Sequence, residues 1–372
     1  MPTVRGLAPA RLGVDGTSYD LQMSGAARRT SCLLPRLASR GWEPVLFVSQ
    51  ASAPAFRALP GVTVVPLRTP AHPAPLRRLL ARRPMEEAIR ELGITLFLTE
   101  IPPAPEGLPF VLNLHDTRAF DRPETLRPGR RLWLRRTLPE AVARAAAVIV
   151  PSAATAERVE AWFPQARPRV VPNGGDHFPV ALRPPAREDF LLAVGPWDRR
   201  KNLPLLLEAH RRLAPRPPLV LAGLRRRPRG AAPEVEVGRP DDLELAGLYR
   251  RAAVTVCPSD WEGFGLPLAE ALAQACPVVA SDLPAHREVG GAAVRYFPSG
   301  SVEGLVRALE EVRRRPPSPA LLLQQAGRHP WRLGAEALDQ VLRQVAARAW
   351  ASQRTRRATP VRKASPATRT RS

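Results

Sequence analysis

Short apolar runs alternate with longer helical patterns along this chain, and that alternation limits the possible folds more than any other feature. The pattern begins at Arg11, continues to about Val150, and starts again at Phe190 after the proline-rich passage 178–185. Strands that alternate with helices along a sequence form parallel sheets covered by helices on both faces. The sequence therefore predicts an α/β protein with two consecutive doubly wound domains.

The predicted elements follow from the places where apolar periodicity switches between strand-like and helical spacing. In the first half, strands are predicted at Arg11–Asp15, Glu43–Ser49, Val62–Pro66, Ile94–Leu98, Phe110–Leu114 and Val148–Val150, and helices at 24–41, 76–91 and 123–146. In the second half, strands are predicted at Phe190–Val194, Pro218–Ala222, Val254–Val256 and Pro277–Ala280, and helices near 203–213, 242–252, 267–276 and 303–314.

The chain length of 372 residues exceeds that of most single domains and fits two. We predict an N-terminal domain (1–174), a linker (175–188), a C-terminal domain (189–330), a helix (331–350) that packs back on the N-terminal domain, and a disordered basic tail (351–372). Ligands of doubly wound sheets bind beyond the carboxyl ends of the strands. We therefore expect the functional site between the two domains.

The chain is strongly basic. Its formal net charge is +22, and seven of its basic residues lie in the tail 351–372, which has no acidic residue. A basic protein attracts nucleic acid, anionic lipid or phosphorylated substrates, whereas an arginine-rich coding bias gives the same charge without any such partner. Charge alone leaves both interpretations open.

Cysteine spacing and hydropathy indicate the compartment. Cys32, Cys257 and Cys276 are odd in number and far apart, which argues against a disulfide framework or a zinc site. No apolar run approaches the roughly 18 residues needed to cross a bilayer, and the first residues lack the apolar core of a secretory signal. We expect a cytoplasmic protein whose contact with a membrane is peripheral.

The stretch 253–282 places a glycine-rich turn between a strand and a helix, with a carboxylate on each side. Gly263 and Gly265 allow the backbone to approach a ligand closely, and free N–H groups at a helix start attract anions. Glu262 in the turn and Glu270 in the helix can accept hydrogen bonds from vicinal hydroxyls, as sugar and ribose recognition requires. Helix capping and surface solvation would explain the same two carboxylates without a ligand.

Protein cations, not a metal, are expected to bind any diphosphate. The sequence has no Gly-x-Gly-x-x-Gly, no Gly-x-x-x-x-Gly-Lys phosphate loop and no Asp-x-Asp pair for a divalent metal. Arg200 and Lys201 lie between a predicted strand and helix, and Lys201 is one of only two lysines among 56 basic residues. We expect these two side chains to bind phosphate oxygens. A solvated helix terminus is the alternative.

Several motifs in the second half carry a family resemblance. They are Arg200-Lys-Asn202, Leu248-Tyr-Arg-Arg-Ala-Ala253, Cys257-Pro-Ser259, Glu262-Gly-Phe-Gly-Leu-Pro267 with Glu270-Ala271, Pro277-Val-Val-Ala-Ser281 and Glu288-Val-Gly-Gly-Ala-Ala293. With these motifs, the chain resembles the family 4 (group 1) retaining glycosyltransferases over nearly all of its folded part. The resemblance implies the GT-B fold, in which two Rossmann-like doubly wound domains face each other across a cleft. The N-terminal domain would lie on the acceptor side, and the C-terminal domain would bind a nucleotide sugar.

The resemblance also implies a role for each residue that matches a family motif. Glu262 would contact hydroxyls of the donor sugar and Glu270 the ribose, while Arg200 and Lys201 would hold the diphosphate. In the family mechanism the acceptor attacks from the face on which the diphosphate leaves, so Glu262 would be a positioning and electrostatic residue. The backbone of the turn would meet the sugar and the phosphate at Gly263, Phe264, Gly265 and Leu266.

Three positions match the family less completely. His115, after the strand Phe110–Leu114, is similar to the family's loop histidine and would hydrogen-bond the donor sugar or assist the acceptor, although a structural histidine is the alternative. Gly16 resembles the glycine of the loop that approaches the diphosphate, but Ser24–Ala27 departs from the usual Gly-Gly-x-Gly. Ala275 stands where glycine is common, which we expect to affect local packing only.

Taken together, the resemblance implies a metal-independent retaining glycosyltransferase that needs no cofactor. The motif set is most similar to mannosyltransferases of surface polysaccharide or glycolipid synthesis, so we expect GDP-mannose as donor and a saccharide or lipid-linked acceptor, with peripheral contact to an anionic membrane. No residue distinguishes guanine from uracil. A nucleotide-sugar epimerase or hydrolase of the same fold is the alternative. A non-catalytic nucleic-acid-binding protein is disfavoured, because basic and aromatic residues are not interleaved.

Overall fold

A seven-stranded parallel sheet forms the first half of the computed structural model, which describes residues 11–19, 24–69, 74–179, 186–229 and 231–358. Its strands are β1 (Arg11–Gly16), β2 (Glu43–Ser49), β3 (Thr63–Leu67), β4 (Leu96–Thr99), β5 (Phe110–Asn113), β6 (Ala147–Val150) and β7 (Arg169–Val170). Their spatial order is β3-β2-β1-β4-β5-β6-β7. The inner strands are buried on both faces, as expected for a parallel sheet covered by helices.

A six-stranded parallel sheet forms the second half. Its strands are β8 (Glu188–Val194), β9 (Leu219–Ala222), β10 (Val235–Gly238), β11 (Ala252–Cys257), β12 (Val278–Ser281) and β13 (Arg295–Phe297). They lie in the order β10-β9-β8-β11-β12-β13. In each sheet the strand order reverses at the first strand, β1 or β8, and such a switch point is where doubly wound sheets bind ligands.

Helices cover both faces of each sheet. Adjacent residues of one strand therefore pack into different hydrophobic cores, one on each face of the sheet. In the first sheet Leu46 lies in one core and Phe47 in the other, and in the second sheet Leu191 and Leu192 lie in different cores. The helices are α1 (Gly25–Ala38), α2 (Ala74–Glu91), α3 (Arg118–Asp121), α4 (Pro128–Arg144), α5 (Ala153–Trp162), α6 (Leu203–Arg212), α7 (Asp242–Arg251), α8 (Leu266–Ala273), α9 (Pro284–Gly290), α10 (Val302–Arg314), α11 (Pro319–Ala326) and α12 (Trp331–Ala358).

The predicted alternation is confirmed, and the differences have local causes. The sequence pattern did not indicate β7, β10 and β13, which are edge strands and contain too few apolar residues to be recognised alone. The pattern also did not indicate α3, α5, α9 and α11, which have ten residues or fewer. The helix predicted at 123–146 begins only at Pro128, because Pro123 starts a separate 3₁₀ turn.

The last helix, α12, packs on the N-terminal half of the chain. Trp331, Leu338 and Leu342 are fully buried in the same core as Leu33 of α1. Trp42 Nε1 adds a hydrogen bond of 2.7 Å to Asp339 Oδ1. The helix continues to Ala358, so the tail predicted at 351–372 begins too early, and its remainder from 359 lies outside the described residues, as does part of the predicted linker, 180–185.

Ala275 corrects another expectation. It lies between α8 and β12 with φ at +54°, in the left-handed region that glycine adopts without strain. Its side chain is buried, so the position tolerates a methyl group sterically. The departure from glycine therefore strains the backbone as well as changing the local packing.

Direct contacts join the two domains along the cleft between their carboxyl edges. Arg118 Nη1 lies 3.0 Å from Asp198 Oδ2, and Arg28 of α1 pairs with Asp242 of α7. Glu288 of α9 accepts hydrogen bonds from two backbone N–H groups at the start of α5, at 2.8 and 3.0 Å. These contacts hold the domains closed around the residues described next.

Candidate active site

The glycine loop, residues 258–265, joins β11 to α8 at the carboxyl edge of the second sheet. Gly265 is the N-cap of α8 and has φ +93°, a conformation in which other residues would be strained. Pro267 occupies the first turn of α8, where a missing N–H breaks no helical hydrogen bond. The loop thus lies beside a helix N-terminus, as the sequence predicts.

Gly263 holds the glycine loop against the N-terminal domain. A Cβ added at Gly263 would overlap the carbonyl oxygen of His115, so only glycine fits. The Gly263 carbonyl accepts hydrogen bonds from Ser152 Oγ at 2.6 Å and from Thr155 Oγ1 at 2.9 Å. His115 and the glycine loop, predicted from separate parts of the sequence, therefore lie together.

Glu262 is buried among cations. Its Oε1 lies 2.7 Å from Lys201 Nζ and accepts a hydrogen bond of 2.8 Å from Ser259 Oγ, while Oε2 lies 2.8 Å from Arg200 Nη1. Burial would raise the pKa of Glu262, but the charges of Arg200 and Lys201 outweigh that effect and hold the pKa far below its usual range. Glu262 is therefore a carboxylate, not a proton donor.

Arg200 and Lys201 are positioned by a 3₁₀ turn that follows β8. Asp198 caps this turn by accepting a hydrogen bond from the Arg200 N–H at 3.0 Å, and Asn202 ends it with φ +45°. Burial would lower the pKa of Arg200, but nearby Glu262 raises it, so the guanidinium stays charged. Two cations thus face Glu262 at the start of α8, and Asp198 lies 3.5 Å from Arg200 as a second carboxylate. An anionic ligand would replace carboxylate contacts at these cations and would also meet the N–H groups at the helix start.

Glu270 lies apart from this ion cluster. It is buried on α8, where its Oε2 accepts a hydrogen bond of 2.7 Å from Tyr249 OH. Its Oε1 lies 3.3 Å from His177 Nε2, without hydrogen-bond geometry, and His177 Nδ1 accepts a bond from Trp331 Nε1 at 3.1 Å. The two glutamates therefore have separate partners, and the ribose contact of Glu270 stays a prediction.

The remaining predicted site residues take part in packing. Phe264 is buried edge-on against His329, and the side chain of Leu266 packs on the core of the N-terminal domain beside Gly25. A ligand would therefore meet these two residues through their backbone. Gly16 ends β1, where an added Cβ would press on the Tyr19 ring, and its contact with a diphosphate stays a prediction.

His286, which no sequence motif singled out, lines the same cavity as Lys201 and Glu262. His286 is buried on α9 beneath Gly265, and its Nδ1 lies 2.9 Å from the carbonyl oxygen of Ser281. Burial lowers the pKa of His286 and favours the neutral imidazole. Its only sequence signal was the rarity of histidine, six in 372 residues, which does not indicate a position in the fold.

No group of three or more His, Cys, Asp or Glu side chains in the described part of the chain is arranged to hold a metal ion. No helix within it is both long and apolar enough to span a bilayer.

Sequence comparisons find relatives for both halves of the chain. The model of Glycosyltransferase Family 4 matches residues 23–177, and that of Glycosyl transferases group 1 matches residues 176–328. The chain is 26% identical over 260 residues to the O-antigen chain mannosyltransferase B of Escherichia coli, a match that covers 59% of this chain and 66% of the relative. It is 34% identical over 158 residues to a phosphatidyl-myo-inositol mannosyltransferase of Mycolicibacterium smegmatis, covering 37% and 41%. The chain thus spans less than two thirds of either relative.

Structural comparisons extend over almost the whole chain. Sucrose-phosphate synthase from Thermosynechococcus elongatus has a TM-score of 0.68 at 21% identity, covering 94% of this chain and 99% of its own. Anabaena HepE in complex with UDP-glucose has a TM-score of 0.65 at 14% identity, covering 93% and 99%. These likenesses confirm the predicted fold class, α/β with two facing Rossmann-like domains of the GT-B type.

Proposed function

Because the chain belongs to the family 4, group 1 glycosyltransferases, we propose that it transfers a hexose from a nucleotide-diphosphate sugar to a saccharide or lipid-linked acceptor. The observation that carries the proposal is the ion cluster of Glu262, Arg200 and Lys201 at the start of α8, with the His115 backbone of the other domain packed against the neighbouring Gly263. A carboxylate beside two cations suits a ligand that has hydroxyls at one end and phosphates at the other.

The cluster would favour departure of the nucleotide diphosphate. Arg200 and Lys201 supply fixed positive charge, and the N–H groups at the start of α8 add to it, where the leaving diphosphate gains negative charge. Glu262, already a carboxylate, would accept hydrogen bonds from the sugar hydroxyls instead of from these cations. We propose a retaining reaction that needs neither a metal nor a cofactor, since protein groups neutralise the diphosphate.

Mannose is our first choice of donor sugar, because the relatives named above are mannosyltransferases. Structural neighbours such as HepE were solved with UDP and UDP-glucose, so the base and the sugar need a direct test. A panel of nucleotide sugars, GDP-mannose and UDP-glucose included, should be screened by thermal shift. We expect GDP-mannose to raise Tm most, and a chain that no nucleotide sugar stabilises would overturn the donor proposal.

Transfer itself should be measured by mass spectrometry with lipid and polysaccharide extracts as acceptors. A mass gain of one hexose on an extract component, with the anomeric configuration of the donor kept in the NMR spectrum, supports a retaining transferase. Release of free sugar or of an epimerised nucleotide sugar, without any glycosylated acceptor, would instead favour the hydrolase or epimerase alternative. Activity that is unchanged by EDTA supports metal independence.

Exposed leucines and arginines on the N-terminal domain support the proposal of a lipid-linked acceptor. Leu79, Leu80 and Leu132 are 70%, 49% and 53% exposed near the first turns of α2 and α4, and exposed arginines lie nearby on both helices. These helices follow strands of a parallel sheet, so both begin at its carboxyl edge, on the cleft side. We propose peripheral contact with an anionic membrane there. Co-flotation with phosphatidylglycerol vesicles but not with phosphatidylcholine vesicles would support it, and equal recovery with both would refute it.

A further inference from the structure

A buried carboxylate, Glu100, lies behind His115 in the N-terminal domain. Glu100 directly follows β4, and only 6% of its side chain is exposed. Its Oε1 lies 3.0 Å from His115 Nε2. No motif of the sequence analysis includes this residue, and the proposed function does not use it.

Other donors converge on the same oxygen of Glu100. Tyr19 OH donates to Oε1 at 3.1 Å and Asn113 Nδ2 at 3.4 Å, and Tyr19 OH is also bonded to Thr30 Oγ1 at 2.7 Å. An ionised carboxylate only accepts hydrogen bonds, so this arrangement suits the charged form of Glu100. Burial lowers the pKa of nearby Arg29 to about 10 and the charge of Glu100 opposes that change, so Arg29 balances the carboxylate.

The position of Glu100 determines which imidazole nitrogen carries the proton. If Nε2 were unprotonated, its lone pair would face a carboxylate oxygen at 3.0 Å, and the two would repel each other. The Asn113 amide also lies 3.4 Å from Nε2, but it donates to Glu100 as well, and the carboxylate is the nearer and charged partner of the imidazole. The proton of a neutral His115 therefore lies on Nε2, and the lone pair lies on Nδ1. Within the described residues nothing bonds to Nδ1, and 31% of the His115 side chain is exposed.

We propose that Glu100 is a positioning residue that holds His115 in the Nε2-protonated tautomer, so that Nδ1 accepts a hydrogen bond from a hydroxyl of the bound sugar. The nature of the ligand rests on the proposed function, whereas the tautomer does not. Tyr19 and Asn113 hold Glu100 in place, and Gly263, packed on the His115 carbonyl, brings the glycine loop to the same histidine. Glu100 thus acts through His115 and touches no reacting atom itself.

The tautomer can be measured without any substrate. The chain has six histidines, so ¹⁵N-histidine labelling gives few signals, and the His115→Asn variant identifies those of His115. In the wild-type protein at neutral pH, we expect Nε2 to have the protonated shift and Nδ1 the unprotonated shift. In Glu100→Gln the signals should move towards the other tautomer or towards an average of both. A wild-type proton on Nδ1 would overturn the inference, whether or not the protein transfers sugar.

A kinetic cycle tests the consequence for catalysis. We expect Glu100→Gln to lower kcat by roughly 10-fold, a size typical of residues that orient a functional histidine, with little change in KM for the nucleotide sugar. In the His115→Asn background the same substitution should change kcat less than about 2-fold, because the residue through which it acts is gone. Additive losses would show that Glu100 acts independently of His115 and would refute the inference. Whether the wild-type protein transfers sugar at all in this assay tests the proposed function separately.

Matched variants distinguish positioning from simple loss of structure. Glu106→Gln removes an exposed carboxylate from the loop between β4 and β5 and should leave kcat unchanged. Tyr19→Phe keeps the ring but removes the hydroxyl that holds Glu100, and it serves if Glu100→Gln does not fold. Its loss of kcat should also vanish in the His115→Asn background. If Tyr19→Phe changes neither the His115 nitrogen shifts nor kcat, the hydroxyl has no part in the arrangement and the proposed support of Glu100 is wrong.

Discussion

Replacing Glu262 by Gln should tighten the binding of a free nucleoside diphosphate while it slows sugar transfer. The carboxylate of Glu262 is the direct partner of both Arg200 and Lys201. A diphosphate that binds these cations must displace at least one of those two contacts. Glutamine has nearly the same size but no charge, so it competes less with the diphosphate.

The size of the expected change in Kd follows from the energy of one displaced contact. A hydrogen bond to a charged group is worth about 1.5–3 kcal/mol, so Glu262→Gln should lower Kd for the diphosphate by roughly 10-fold or more. The variant also leaves the buried positive charges of Arg200 and Lys201 with less negative charge beside them. Breaking a buried ion pair costs about 3–5 kcal/mol, but Asp198 still lies 3.5 Å from Arg200, so we expect a loss of about 2 kcal/mol in the free energy of unfolding.

Calorimetric titration with GDP and with UDP measures this effect directly. The matched control is Glu236→Gln, which removes an exposed carboxylate from β10 of the same domain and should leave Kd unchanged. Transfer assays on the same proteins should show the lower turnover of the Glu262 variant. Weaker diphosphate binding by Glu262→Gln than by the wild type would refute the competition argument, because the carboxylate would then contribute to holding the nucleotide.

Four further results are expected from the same structure. The pKa of Glu262 is low in the folded protein and about 4.3 in the unfolded chain, so the ionised carboxylate stabilises the folded state above that pH. The free energy of unfolding, measured in denaturant titrations, should therefore fall as the pH drops below about 5. This acid-dependent loss should be absent from Glu262→Gln. Lys201→Met should raise Kd for the diphosphate by roughly 10- to 100-fold without rescue by magnesium, since a charge-assisted contact of about 1.5–3 kcal/mol is lost; full rescue by magnesium would contradict metal independence. Ala275→Gly should raise the free energy of unfolding by about 1 kcal/mol, because its φ of +54° suits glycine; a loss of stability in the same denaturant titration would contradict the strain. Gly263→Ala should open the cleft, because the new methyl group overlaps the His115 carbonyl oxygen, and an unchanged radius of gyration in X-ray scattering together with normal turnover would refute this.

The fold could be predicted from the sequence because its main signals are local. Apolar runs of four to seven residues mark most strands, and the restart of the pattern at Phe190 marks the second sheet. The elements that were missed depend on neighbours: β13 has only three residues and is held by its pairing with β12. The end of α12 was also missed, because the sequence from 351 to 358 has a composition typical of disorder although the helix continues through it.

The candidate site could be predicted only where residue type itself is informative. Lys201 was found because lysine is rare in this chain, and Glu262 because it adjoins a glycine turn. His286 and Glu100 were missed, since neither is part of a motif and each reaches the site only through the folding of its sheet. Contacts between domains leave no periodic signal in a sequence, so the closeness of His115 to the glycine loop required the structure.

The charges of the cleft connect closure of the domains to the ion cluster. Asp198 is shared, because it caps the turn that positions Arg200 and also pairs across the cleft with Arg118. Burial would raise the pKa of Asp198, but Arg200 and Arg118 lower it, so it stays ionised between the two guanidinium groups. A diphosphate that draws Arg200 away leaves the charge of Asp198 more fully to Arg118 on the other domain. The carboxylate that positions Arg200, the proposed phosphate-binding arginine, therefore also holds the cleft closed, so the proposed donor site depends on contacts from both domains.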